Sequence, residues 1–117
     1  MAAFVSQHEH DSQISVYFNI EAPDVLAVGQ QMEAIAPQAY MNGYNWDAFL
    51  THYLRTQHPS LLSGLETDSE AGTYVALYKK TNALKAAQLV EIIQDLISQP
   101  DKIYVFLEAE ANDIEWD

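Results

Sequence analysis

From residue 14 to residue 20, apolar Ile14, Val16, Phe18 and Ile20 alternate with Ser15, Tyr17 and Asn19. A period of two places one set on a buried face, so the segment predicts a half-buried strand with aromatic content on both sides. Phe4 and Val5 open a shorter segment, 4–8, that can pair with it through a turn at Asp11-Ser12. The period then changes. After Pro23-Asp24, the residues Val25, Val28, Gly29, Met32, Ile35 and Ala36 recur at steps of three and four, which predicts a helix with Asp24 as its cap and Pro37 as its stop. Gly29 lies on the apolar stripe, where a missing side chain lets another element approach closely, at a helix cost of about 1 kcal/mol against alanine.

Asn42-Gly43 signals a turn, and Asn45 suits the N-cap of a second helix. Trp46, Phe49, Leu50, Tyr53 and Leu54 form its wide apolar stripe, with Asp47 in the first turn and Arg55 near the end, each opposing the helix dipole. His58-Pro59 leaves the helix, and Leu61-Leu62 leads to Gly64. Residues 65–68 and 73–78 predict a hairpin through Ser69-Glu70-Ala71-Gly72. Its second strand has an aliphatic face, Thr73, Val75 and Leu77, and a tyrosine face, Tyr74, Ala76 and Tyr78, the latter expected to offer exposed contacts. A third helix runs from an Asn82 cap to about residue 99, with Ala86, Leu89, Val90, Ile93, Leu96 and Ile97 on one side. Segment 103–110 fits strand by composition, but Pro100-Asp101 favours a helix start. The tail 112–117 is acidic, with Ile114 and Trp116 as anchors that would dock it on the body.

The order ββααββαα predicts an α+β fold: one domain over residues 1–117, with an antiparallel sheet of about four strands and helices on one face. A chain of 117 residues can bury a core without staples, and the absence of cysteine removes disulfides and thiolate metal sites. No apolar run nears the ~18 residues of a membrane span. The start, Met-Ala-Ala-Phe-Val-Ser, lacks the basic flank and apolar core of a signal peptide, so a cytoplasmic protein is expected.

Charge changes this picture most. Seventeen acidic residues face five basic ones, a net charge of −12, and nothing basic precedes Arg55. Such a field repels nucleic acid and anionic lipid, and either keeps the protein soluble or speeds its encounter with a basic protein.

Candidate chemistry is thin. His8 and His10 would share one side of a strand, but no third ligand is spaced to complete a metal site, so a polar surface stretch is favoured. Glu66, Asp68 and Glu70 lack the ligand order, central glycine and closing glutamate of a calcium loop. They form either a solvated hairpin or a contact surface for a basic partner. The serines lack a nucleophile setting, no glycine-rich phosphate cradle exists, and five scattered basic residues make no nucleic-acid footprint. No cofactor and no enzyme activity are expected. Trp46 belongs to the core, whereas Trp116 serves equally as anchor or contact.

The stretch G-Y-N-W-D-A-F-L-T-H-Y-L, followed by H-P-S-L-L-S-G-L-E-T-D-S-E-A-G-T-Y-V-A-L-Y and the closing D-I-E-W-D, resembles the immunity protein 51 family. The likeness runs from about Ile14 onward and is sharpest from Gly43 to Tyr78. It implies an α+β protein encoded beside a bacterial polymorphic toxin, which it would neutralise by forming a stoichiometric complex. It assigns no contact residues. On exposure and charge, the contacts expected for a basic toxin are Tyr44, Asp47, Glu66, Asp68, Glu70, Glu110, Asp113, Glu115 and Trp116. Two other readings stay open: a small-ligand or catalytic domain with a carboxylate and tyrosine pocket between sheet and helices, and a subunit that self-associates through its tyrosine face.

Overall fold

The computed structural model describes residues 4–117. Its elements follow the expected order: β1 (Ser6–His10), β2 (Gln13–Asn19), α1 (Pro23–Ile35), α2 (Gly43–Gln57), β3 (Glu66–Thr67), β4 (Thr73–Lys79), α3 (Ala83–Ser98) and α4 (Asp101–Glu110). The four strands form one antiparallel sheet in the order β1-β2-β4-β3. The long strands β2 and β4 lie at its centre.

Register decides which face is buried. Ile14, Val16 and Phe18 pair with Tyr78, Ala76 and Tyr74, and all six are buried. This face carries α2 and α3, while α1 and α4 pack against each other beside them. The tyrosine face of β4 is therefore the inner one, a correction to its expected exposure. Tyr74 stacks on Phe18 with 5.2 Å between ring centroids, and Trp46 meets Phe18 edge-on at 5.2 Å. Tyr78 donates its hydroxyl proton to the Leu61 carbonyl at 2.5 Å. A tyrosine face turned inward offers no surface for self-association. The half-exposed aliphatic positions Val75 and Leu77 lie instead on the open face, beside Tyr17, Ser15 and His8.

The predicted hairpin at Asp11-Ser12 forms, with Asp11 in the left-handed region at φ 48°. Aspartate tolerates this conformation better than most residues. β1 is shifted two residues beyond the expected 4–8. Its inward positions Gln7 and Glu9 stay exposed because the edge strand overhangs the core, whereas Val5 before it is buried.

The helix caps differ from expectation. Asp24 does not cap α1; it lies in the first turn, behind Ala22 and Pro23. The N-cap of α2 is Asn42, whose side-chain oxygen accepts from the Asn45 backbone at 2.9 Å, so the helix starts earlier and Asp47 falls beyond its first turn. Asn82 occupies the N-cap of α3 without a side-chain capping bond. Gly29 has the predicted role, since a Cβ there would meet the Met41 side chain at 3.3 Å. Segment 101–110 is helical, and β3 is shorter than expected, at two residues.

Candidate partner-binding groove

With Trp46, Phe49, Leu50 and Leu54 turned into the core, α2 leaves Tyr44, Asp47, Ala48, Thr51, His52 and Arg55 on its outer side. The tail runs back along this side. Ile114 is buried, the Trp116 indole N–H donates to the Ala111 carbonyl at 3.0 Å, and the Asp117 backbone N–H donates to Asn45 Oδ1 at 2.6 Å. Asn45 is the one buried polar side chain among the described residues, and its Nδ2 donates to the Tyr40 carbonyl at 2.8 Å. A side chain predicted to cap the helix thus ties the tail to it. Between helix and tail lies a groove of about 500 Å³, which Glu115, Trp116 and Asp117 line from the tail side.

Asp47 is held by both carboxylate oxygens. Thr51 Oγ1 donates to Oδ1 at 3.2 Å and Ser69 Oγ donates to Oδ2 at 2.9 Å, while the Val75 backbone N–H donates to Ser69 Oγ at 3.0 Å. The β3–β4 turn is clamped to the start of the same helix. Gly43 N–H donates to the Ala71 carbonyl at 2.8 Å, and a Cβ on Gly43 would lie 1.8 Å from the Glu70 carbonyl oxygen. Only glycine permits that approach, which explains Asn42-Gly43 better than a turn does. Beneath this end Tyr74 has its pKa raised, first by burial and then by the Asp47 carboxylate and Tyr78; burial alone pushes Tyr78 up to about 12.

At the other end His52 Nε2 donates to Glu110 Oε1 at 3.0 Å, and its ring packs edge-on against Phe106. The buried Nδ1 has no hydrogen-bond partner. Glu110, expected as a contact, is thereby engaged within the molecule. Arg55, in the last turn of α2, is exposed.

Of the nine expected contacts, the groove gathers Tyr44, Asp47, Glu115 and Trp116. Glu70 sits in the turn clamped to α2, and Glu110 lies behind His52. Asp113 is exposed in the short 3₁₀ turn before the groove wall. Glu66 pairs opposite Leu77 on the open face of the sheet, and Asp68, also exposed, bonds through its backbone to Val75. Sequence reasoning missed Thr51, His52 and Arg55, although they follow from reading the polar side of α2 at the same helical period as its apolar stripe. Ser69 and Asp117 carried no local signal, because their partners lie 22 and 72 residues away.

His8 and His10 stack with ring centroids 5.5 Å apart, both exposed. Among the described residues no group of three or more His, Cys, Asp or Glu side chains could hold a metal ion, and no helix is long and apolar enough to cross a membrane.

The sequence model of immunity protein 51 matches residues 4–112. The chain belongs to the immunity protein 51 family. The match contains the whole of α2 and the β3–β4 turn, and stops before Glu115, Trp116 and Asp117. No curated protein and no solved structure matches this immunity protein 51 member.

Proposed function

We propose that this chain neutralises a cognate bacterial toxin by forming a stoichiometric complex with it in the cytoplasm, its acidic surface meeting a basic toxin. The family match over residues 4–112 is the observation that carries this reading. A net charge of −12 supports the acidic–basic pairing. The candidate contacts are exposed Tyr44, Asp113 and Glu115, half-buried Asp47 and Trp116, and the hairpin acids Glu66, Asp68 and Glu70, with Glu110 contributing through its remaining exposure.

A pocket between sheet and helices would favour catalysis or small-ligand binding. That space is occupied by Phe18, Trp46, Phe49 and Tyr74, and no carboxylate is among the buried residues described. Inhibition by binding needs no reacting group, only a surface that covers the toxin's active site or its substrate entry.

The test is co-expression with the toxin domain encoded beside it. The expected result is restored growth and a complex of equal stoichiometry on size-exclusion chromatography with light scattering. Unrelieved toxicity, with the two proteins eluting separately, overturns the proposal.

A further inference from the structure

We propose that the groove along α2 is a receptor for one arginine side chain of the toxin, taken in at the Asp47 end; this rests on the toxin-binding reading and specifies its central contact. Both Asp47 oxygens are positioned by neutral hydroxyls, from Thr51 and Ser69, which orient the carboxylate without cancelling its charge. Among the described residues Asp95 is paired with Lys102 and Glu110 lies against His52, and neither Asp47 nor Glu115 has a basic side chain within ion-pair distance. The groove thus presents one carboxylate fixed in place, Asp47, and one exposed, Glu115, to a cation that enters it.

Three features select a guanidinium over other cations. The groove contains two aromatic side chains, Tyr44, 44 % exposed, and Trp116, half-buried with its indole oriented by the Ala111 carbonyl. A planar guanidinium stacks on such rings and presents a fork of donors to a carboxylate, which an ammonium does not. A metal ion would need several converging ligands, and among the described residues no group of three or more is placed to supply them. The groove, at about 500 Å³, is also wide for a bare ion and suits a long side chain. Arg55 lies eight residues beyond Asp47, roughly 12 Å along the helix at ~1.5 Å per residue. Exposed and lining the far end, it repels a cation there and leaves the Asp47 end as the point of entry.

N-acetyl-arginine amide is the probe that tests the groove without the toxin. Titrated into isotope-labelled protein, it is expected to shift the Trp116 indole and Thr51 amide resonances saturably, and N-acetyl-lysine amide to do so at least fivefold more weakly. Asp47→Asn should abolish the arginine response, with Glu115→Gln as a second variant that touches no packing. Small shifts spread evenly over the acidic surface, or equal responses to both amides, overturn the proposal. With the toxin, Asp47→Asn, Glu115→Gln and Trp116→Ala should each weaken binding by tenfold or more, while Glu66→Gln on the open sheet face changes it less than twofold. A wild-type complex indifferent to the groove variants upholds toxin binding and overturns the groove. Arginine uptake in the groove without a toxin complex upholds the groove and overturns the toxin-binding reading.

Discussion

At the scale of single residues, the glycines separate two roles that composition cannot tell apart. Gly43 is buried where α2 meets the β3–β4 turn, and an added Cβ would lie 1.8 Å from one backbone oxygen and 2.7 Å from another. Backbone cannot rotate away as a side chain does, so the helix start and the turn would have to separate. Gly72, three residues after the clamped Ser69, has open space at its Cβ position and no left-handed φ. Gly43→Ala is therefore expected to cost about 2–3 kcal/mol in chemical denaturation, in the range of overpacked sites. Gly72→Ala should stay within about 0.5 kcal/mol of the wild type. Equal effects would show that the clamp contributes nothing to stability. The same neighbourhood shows what was legible of the site. Tyr44, Asp47, Glu115 and Trp116 could be named from charge, aromaticity and exposure, whereas their assembly into one groove depends on Asn45 holding Asp117 across the fold. Contacts of that sequence separation leave no periodic trace.

At the scale of elements, hydrophobic period specified nearly everything it could. Helix stripes, the order of elements along the chain and the Asp11-Ser12 hairpin follow from spacing, and proline-aspartate settled α4 against its strand-like composition. What failed was the choice between the two faces of β4, because Thr73, Val75 and Leu77 are as apolar as Tyr74, Ala76 and Tyr78. Pairing resolves it: Ile14, Val16 and Phe18 on β2 bring the tyrosines inward. Burying phenols has a consequence at alkaline pH. Tyr78 has its pKa pushed up to about 12 from 10.0, and Tyr74 is raised by burial with Asp47 adding to it. Below the unfolded value both states keep the proton and the fold has its full stability. Above it the unfolded chain releases protons that the folded chain holds, so stability falls, by about 1.4 kcal/mol per pH unit for each tyrosine. Urea denaturation from about pH 8 to about pH 12 should show this decline beginning near pH 10. Tyr78→Phe should decline less steeply, after a loss of about 1 kcal/mol at neutral pH from its bond to Leu61. A decline of equal slope in both proteins would place the titration elsewhere.

At the scale of the whole molecule, the proposed complex predicts separable contributions from charge and groove. A net charge of −12 acts at long range and is felt before contact, so in the proposed complex it would govern the rate of encounter with a basic toxin. Asp47, held by Thr51 and Ser69, would act in that complex only once the partner is seated, and so would govern residence time. Salt distinguishes the two because screening removes the long-range field over about 8 Å at physiological ionic strength and affects a desolvated contact much less. Stopped-flow association with the toxin should therefore slow by roughly tenfold between low and high salt, on the scale of electrostatic steering, while the dissociation rate changes little. Asp47→Asn should show the opposite pattern, with a faster dissociation and nearly the same salt slope, since it removes one of seventeen acidic side chains. An association rate flat in salt would mean that the acidity serves solubility alone and that the toxin is recognised without regard to its charge.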